Sequence, residues 1–113
     1  MKETPKTITE WNKKTFPKLT ENGQWLKLLE EFNEYRKAGN IEDAIKEYAD
    51  MVIVSCVLDE RFNNPVGWFI LSAIDENDEI AKFIDEAVDK KMEINRKRKW
   101  IYKNGVYRHV GEE

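Results

Sequence analysis

The segment MVIVSCVL, at positions 51–58, is the feature that most constrains the fold, because it is apolar on nearly every side. It continues the amphipathic pattern IEDAIKEYAD, so we predict one helix from Ile41 to Phe62. A β-branched run of this length also suits a buried strand, but its continuity with the preceding pattern favours a helix. A helix that is apolar all round needs neighbours on every side, which predicts a central position in a helical bundle.

Further helices are expected on both sides of this central segment. Apolar residues recur at helical spacing from Gly23 to Ala38, and Gly39-Asn40 is expected to end that helix because both residues tolerate left-handed backbone. After a break at Asn63-Asn64-Pro65, the pattern predicts a short apolar helix at Val66–Ala73 and a long helix at Asn77–Lys99.

The two ends of the chain carry other patterns. Residues 1–22 are polar and contain Pro5 and Pro17, which predicts an N-terminal arm with at most a short helix around Ile8–Lys14. In the tail, residues 100–113, aromatic and β-branched residues flank Asn104-Gly105, the strongest short signal for a β-hairpin. We therefore predict a single all-α domain over residues 1–113: a four-helix-type bundle with a short C-terminal hairpin or irregular tail.

Composition excludes several classes of protein. A chain of 113 residues suffices for one domain, and its net charge of −3 argues against nucleic acid as the main partner. No apolar run is long enough to span a bilayer or to form a signal-peptide core near the N-terminus. The single Cys56 fits a reducing compartment. We expect a cytoplasmic protein with neither a membrane nor a nucleic acid as partner.

Two pairs of acidic residues, Glu31/Glu34 and Glu47/Asp50, lie at helical spacing on either side of the Gly39–Ile41 turn. Both cross-helix combinations are equidistant from the midpoint of the turn, so an antiparallel helix pair brings all four to one level. Their helical phase places them towards or beside the interior, where unpaired carboxylates are costly. A hard divalent cation such as Mg²⁺ would offset that cost. The alternative is that they are solvated surface residues.

A second polar face lies on the last predicted helix. Lys91, Asn95 and Arg98 follow each other at i, i+4 and i+7, and together they offer donors suited to anionic oxygens. The alternative is that this side of the helix simply runs into solvent. The apolar stripe that they continue consists of Ile80, Phe83, Ile84, Ala87 and Val88.

Some single residues also deserve an expectation. Gln24 lies seven residues before Glu31, on the same helix side, where it could contact a base or a sugar. Any of the four tryptophans, Trp11, Trp25, Trp68 and Trp100, could stack on a base, although core or interface positions are more usual for tryptophan. His109, the only histidine, is expected to pack in the tail or to lie on the surface.

Two stretches together resemble a known family. LLEEFNEY followed by EYAD resembles the EExxE…ExxD signature of the all-α nucleoside triphosphate pyrophosphohydrolases, the MazG-like superfamily. KMEINRKRKW is similar to the KxxxNxxRxW ending of its bacterial and phage dATP/dGTP pyrophosphohydrolase branch, and WNKKTFP also looks like that branch. The resemblance spans most of residues 11–109. Asn12 stands where the WHxxTFP form of the branch has histidine, and the KNGVY turn is less acidic than in relatives.

The resemblance implies a Mg²⁺-dependent enzyme, with Mn²⁺ as a substitute, that converts a (d)NTP, favouring a purine dNTP, to (d)NMP and pyrophosphate. Metal ligands would be Glu31, Glu34, Glu47 and Asp50. Glu30 would either support these ligands or activate the attacking water, and Glu34 would share in catalysis.

The same resemblance implies that Lys91 and Asn95 hold phosphate oxygens or the sugar, with support from Arg98. Family habit and the apolar stripes on several faces imply a homodimer or homotetramer. Base and sugar preference stay open. The alternative from another class is a non-catalytic helical interaction module, phage accessory or antitoxin-like, in which the acids only pair with lysines across the bundle.

Overall fold

The structure, a computed structural model, describes residues 2–74 and 78–111, with side chains at 2–74 and 83–111. The described chain is all-α with a short C-terminal hairpin, as predicted. Its elements in chain order are α1 (Pro5–Thr15), α2 (Glu21–Arg36), α3 (Ile41–Phe62), α4 (Val66–Ile74), α5 (Asp78–Lys97), β1 (Trp100–Lys103) and β2 (Val106–His109).

Helix α3 is the centre of the bundle, and its predicted bounds, Ile41 and Phe62, are confirmed. It packs against each of the other four helices. One core cluster lies between α1, α3 and α5, and a second lies between α2, α3 and α4. The all-round apolar character of residues 51–58 thus has the predicted cause, since neighbours cover α3 on several sides.

Helix α1 is longer than the short segment expected at Ile8–Lys14, and it belongs to the core. Thr4 caps it with a reciprocal capping box, and Pro5 supplies the preset backbone angle of the first turn. Ile8 is fully buried against α3 and α5. A paired contact from the Arg96 guanidinium to the Glu3 carboxylate, with Nε–Oε1 at 2.8 Å, ties this end of the chain to α5. The prediction of an N-terminal arm with at most a short helix is therefore wrong for α1, which is part of the bundle.

The turn between α2 and α3 forms differently from the prediction. Helix α2 ends at Arg36, two residues before the expected Ala38, and Lys37 follows in right-handed conformation. Asn40 has an extended backbone, with φ of −155°, and its side-chain oxygen accepts the Asp43 backbone N–H at 2.8 Å. The left-handed stop expected at Gly39-Asn40 is wrong, because neither residue has a positive φ and Asn40 caps the next helix instead of ending the previous one.

The predicted hairpin is confirmed. Asn104 and Gly105 both have positive φ, 55° and 79°, as a two-residue turn between twisted strands requires. The register pairs Trp100 with His109 and Tyr102 with Tyr107. The hairpin folds back onto α1, where the Phe16 ring lies 4.9 Å from Trp100 and 4.8 Å from Tyr107 between centroids.

Helix α5 buries a narrower stripe than predicted. Val88 and Met92 are fully buried, but Phe83 is 49% exposed, so its assignment to the buried stripe is wrong. At 100° per residue, Phe83 lies about 140° around the axis from Val88, which turns it away from α3. Ile80 lies outside the described side chains. Within the described chain, no helix has the length and apolar character needed to cross a membrane.

Gly67 in α4 approaches α3 so closely that a side chain has no room. An added Cβ would collide with the side chain of Ser55, which is fully buried. We expect Gly67→Ala to lower the free energy of unfolding by about 1–3 kcal/mol in urea denaturation, because overpacking forces the helices apart. Gly39→Ala is the matched control, since its Cβ meets nothing within 4 Å. Equal losses in the two variants would contradict the packing explanation.

Candidate functional site

Three of the four predicted acidic residues meet where α2 crosses α3. Glu31 on α2 and Glu47 and Asp50 on α3 each offer a carboxylate oxygen, and these oxygens lie within 4.8 Å of one another. The α2–α3 pair is antiparallel across a short turn, which brings residues equidistant from the turn to one level. We call Glu31, Glu47 and Asp50 the acidic cluster.

Glu34 and Glu30 lie at the edge of this arrangement. Glu34 is exposed and is not part of the acidic cluster, although its charge is close enough to help raise the pKa of Glu47. Glu30 is also exposed, and its carboxylate is held between the Lys27 ammonium at 3.8 Å and the Arg108 guanidinium at 3.5 Å. Of the two, Glu30 is the one that lines the cavity described below.

Two lysines contact the acidic cluster. Lys91 Nζ on α5 lies 3.1 Å from Asp50 Oδ2, and Lys27 Nζ on α2 lies 3.1 Å from Glu31 Oε1. Glu31 and Asp50 are well covered, with side chains only 12% and 23% exposed. Glu47 has no ion pair among the described residues. The cluster therefore holds more negative than positive charge.

The pKa values of all three carboxyl groups reflect this imbalance. Burial is the largest cause that raises the pKa of each. The Asp50 charge raises the pKa of Glu31 further, and the Glu31 charge does the same to Glu47. Lys91 opposes the shift at Asp50 without cancelling it. A cation that approached the cluster would relieve both burial cost and repulsion.

The acidic cluster borders a cavity of about 580 Å³, a size typical of small-molecule sites. Glu31 and Asp50 line it, whereas Glu47, the third member of the cluster, is not part of the lining. All three predicted donors on α5, namely Lys91, Asn95 and Arg98, line the same cavity. Two further cations, Lys27 and Arg108, also line it. One cavity is thus lined by both carboxylates and cationic side chains.

The other part of the lining is aromatic and comes from α1, the residue that follows it, and the hairpin. Trp11 meets Phe16 edge to face at 5.3 Å, and Trp100 meets the His109 ring in the same way at 5.7 Å. Tyr107 completes the wall and accepts the Lys18 backbone N–H at 2.9 Å through its hydroxyl oxygen. His109 thus packs in the tail, one of its two expected roles, and its ring also lines the cavity.

Two buried amides in the lining have orientations that chemistry fixes. Gln24 is 5% exposed and donates through Nε2 to the Val54 carbonyl oxygen at 3.2 Å. Asn12 is 4% exposed and accepts through Oδ1 from Arg61 Nη1 at 2.7 Å. A carbonyl only accepts and a guanidinium only donates, so neither amide can be reversed. Among the described side chains, this leaves Gln24 Oε1 as an acceptor and Asn12 Nδ2 as a donor beside the cavity.

Sequence reasoning missed Lys27, Arg108 and the donor role of Asn12. Lys27 stands four residues before Glu31, so the i,i+4 rule could have found its ion pair. The contacts of Arg108 with Glu30 and of Arg61 with Asn12 join residues 78 and 49 positions apart. Such contacts depend on tertiary packing, and no local pattern signals them.

No family model, curated protein or solved structure matches this chain. Membership of the MazG-like superfamily therefore stays a prediction from the motifs.

The charge imbalance of the acidic cluster predicts a pH-dependent effect at Glu47. Its pKa is raised in the folded protein, so stability is lost as the pH rises from the unfolded value, 4.5, through the folded one, and the penalty is complete at neutral pH. We expect Glu47→Gln to raise the melting temperature of the metal-free protein at pH 7 by roughly 2–5 °C. The gain should vanish near pH 4, where both states bind the proton.

Thermal melts monitored by circular dichroism between pH 4 and pH 8 test this expectation. Glu42→Gln, at an exposed position on the same helix, is the control and should change little at any pH. A Glu47→Gln protein that melts below the wild type at pH 7 would show that the carboxylate stabilises the fold and would contradict the expected charge repulsion.

Proposed function

We propose that this chain is a Mg²⁺-dependent nucleoside triphosphate pyrophosphohydrolase of the MazG-like kind, converting a (d)NTP, preferably a purine dNTP, to (d)NMP and pyrophosphate. The observation that carries the proposal is the acidic cluster, whose oxygens lie within 4.8 Å of one another at the edge of a cavity that cationic side chains also line. The motif resemblance supplies the reaction class.

The donor chemistry of the acidic cluster fits Mg²⁺, with Mn²⁺ as a substitute. All its ligand atoms are carboxylate oxygens, which hard divalent cations prefer, and its excess negative charge needs a counter-charge. Glu31, Glu47 and Asp50 would hold the ion, and Glu34 is proposed as a fourth carboxylate from the motif. When bound, the ion offsets charge on the polyphosphate and lowers the pKa of the attacking water.

The remaining side chains of the cavity have separate tasks in this reaction. Water attacks the α-phosphorus, the bond to the α,β-bridging oxygen breaks, and pyrophosphate leaves with that oxygen. Glu30 is proposed to take the proton of the water, because its carboxylate lies on the cavity wall and is exposed. Lys91, Asn95 and Arg98 are proposed to hold phosphate oxygens or the sugar and to stabilise the charge that develops on the pyrophosphate.

The base is proposed to bind against the aromatic wall. Aromatic rings offer faces and edges for a heterocycle, and the two fixed amides add one acceptor, on Gln24, and one donor, on Asn12. Gln24 thus keeps the base- or sugar-reading role expected from the sequence, with its oxygen rather than its nitrogen facing the ligand. Asn12, which stands where the family motif has histidine, is proposed to donate a hydrogen bond to the base.

The proposed setting is cytoplasmic and the proposed assembly is a homodimer or homotetramer. Large apolar side chains are exposed on four of the described helices, which supports self-association that light scattering can measure. They are Leu26 and Leu29 on α2, Ile41 on α3, Phe69 on α4, and Phe83 and Ile94 on α5.

A non-catalytic helical interaction module is the second candidate. The ion pairs Lys91–Asp50 and Lys27–Glu31, each at 3.1 Å, are the observation that favours it, because acids paired with lysines need no metal. This candidate gives the cavity and the unpaired Glu47 no task.

Removing one proposed ligand separates the two candidates. We expect Asp50→Asn, which keeps the size of the side chain, to reduce Mg²⁺-dependent pyrophosphate release roughly 100-fold or more, because the ion loses a charged ligand. The assay measures pyrophosphate released from a panel of (d)NTPs with and without Mg²⁺. Glu42→Gln, at an exposed acid of the same helix, is the control and should retain wild-type rates.

Two outcomes would decide against the enzyme. Release that persists in Asp50→Asn would remove the acidic cluster from the reaction. If no nucleotide of the panel is cleaved and Mg²⁺ leaves the melting temperature of the wild type unchanged, the helical module is the better description.

The amide assignments predict a loss that depends on the base. We expect Gln24→Met to lower kcat/KM for the preferred dNTP roughly 10- to 100-fold. A hydrogen-bond donor on the base would then lose its acceptor at a buried position of the cavity lining. Hydrolysis of tripolyphosphate, which has no base, should change little. Asn33→Met, on the exposed side of the same helix, is the control. Equal losses with both substrates would mean that Gln24 supports the fold rather than reads the base.

A further inference from the structure

Lys27 occupies a carboxylate that the proposed metal would need. Its ammonium lies 3.1 Å from Glu31 Oε1 and 3.8 Å from Glu30 Oε1, so it is held between the two neighbouring acids of α2. Lys91 holds Asp50 in the same way from α5, at 3.1 Å. Both lysines line the cavity together with the carboxylates they contact.

A divalent cation in the acidic cluster would compete with both ammonium groups for the same carboxylates. Without it, two ammonium groups leave the three carboxylates of the acidic cluster one positive charge short. With it, the cation would lie close to both ammonium groups, and no net negative charge would remain for them to neutralise, even with Glu34 as the proposed fourth ligand. Like charges at such separations repel strongly in a partly buried site. The ammonium groups therefore gain by leaving the carboxylates once the cation is bound.

The Lys27 ammonium can move from Glu31 into the cavity. Its side chain is more exposed than that of Glu31, 38% against 12%, and it lines the cavity in which the triphosphate is proposed to lie. Four rotatable methylene groups let a lysine ammonium move several ångströms without any change in the backbone. A triphosphate brings anionic oxygens that replace the carboxylate as hydrogen-bond acceptors.

We propose that Lys27 is a substrate-binding residue that metal binding releases: in the metal-free protein it neutralises Glu31, and when the cation takes Glu31 its ammonium turns to the triphosphate. Metal and nucleotide then bind cooperatively. The metal frees Lys27 to contact the nucleotide, and the nucleotide draws Lys27 away from the carboxylate that the metal needs. This inference rests on the proposed function, and it assigns a role to a residue that the motif resemblance leaves without one.

The exchange predicts effects of opposite sign from one substitution. Lys27→Met should bind Mn²⁺ roughly three- to tenfold more tightly without nucleotide, because a competing cation is gone. At saturating Mn²⁺, the same variant should bind the α,β-imido analogue of dATP roughly tenfold more weakly, because a charged phosphate donor is gone. Electron paramagnetic resonance of free Mn²⁺ gives the first quantity, and isothermal titration calorimetry gives the second.

Two further variants make the test specific. Lys90→Met removes an exposed ammonium that pairs with Glu86, also at 3.1 Å and four residues apart, and it should leave both affinities unchanged. Lys27→Arg keeps a cation and should return both affinities towards the wild type. Melting temperatures of all variants verify that each is folded.

The outcomes separate the exchange from the function on which it rests. If the wild-type protein binds no Mn²⁺, or if Asp50→Asn does not abolish its Mn²⁺ binding, the metal site and the exchange are both wrong. If Mn²⁺ binds but Lys27→Met shifts neither affinity, or shifts both in one direction, the exchange is wrong and the metal site stands. Tighter Mn²⁺ with unchanged nucleotide affinity would likewise overturn the phosphate role of Lys27.

Discussion

The antiparallel packing of α2 against α3 is the constraint on which the rest of the site depends. It places Glu31 opposite Asp50 at the level where α3 changes from an amphipathic helix to one that is apolar all round, directly before the fully buried Met51. Carboxylates at that level border the core, so burial raises their pKa values before any neighbouring charge is considered. A shift of either helix by one turn would move these groups into solvent or into the hydrophobic core.

The acidic cluster is consequently expected to lower the folding stability of this region. Like charges that are partly buried cost folding free energy, and the two lysines compensate only part of it. The fully buried contacts of α3 with its neighbours supply the stability that tolerates this cost. In the proposed enzyme, the bound cation would relieve this repulsion. Glu47, whose carboxylate has no ion pair among the described residues, shows the imbalance most clearly.

The parts that the sequence predicts well are those decided by local chemistry. The bounds of α3 follow from continuous periodicity, and the hairpin follows from the positive φ that Asn104 and Gly105 accept readily. The equidistance of Glu31 and Asp50 from the turn predicts their meeting, because a short turn leaves an antiparallel pair little freedom. The prediction for Phe83 is wrong because the sequence pattern shows which residues are apolar but not how wide a stripe of α5 is covered by α3.

The parts that the sequence does not predict join distant segments. Arg61 reaches Asn12 across 49 positions, and Arg108 reaches Glu30 across 78. Both contacts exist only because α1 and the hairpin pack onto the bundle, and the polar appearance of residues 1–22 hides the buried Ile8 that anchors α1. The same aromatic packing that fixes the hairpin also builds one wall of the cavity. The residues that hold the hairpin in place are therefore also residues of the cavity lining.

The two ends of the cavity are built from different elements, and this separation bears on how such a site can change. Helices α2, α3 and α5 supply the carboxylates and lysines, whereas α1 and the hairpin supply most of the aromatic wall and Asn12. At the aromatic end, Arg61 fixes the orientation of the Asn12 amide. Among the described residues, no hydrogen bond or ion pair joins Asn12 to the acidic cluster. In the proposed enzyme, base preference can therefore diverge while the metal site is retained.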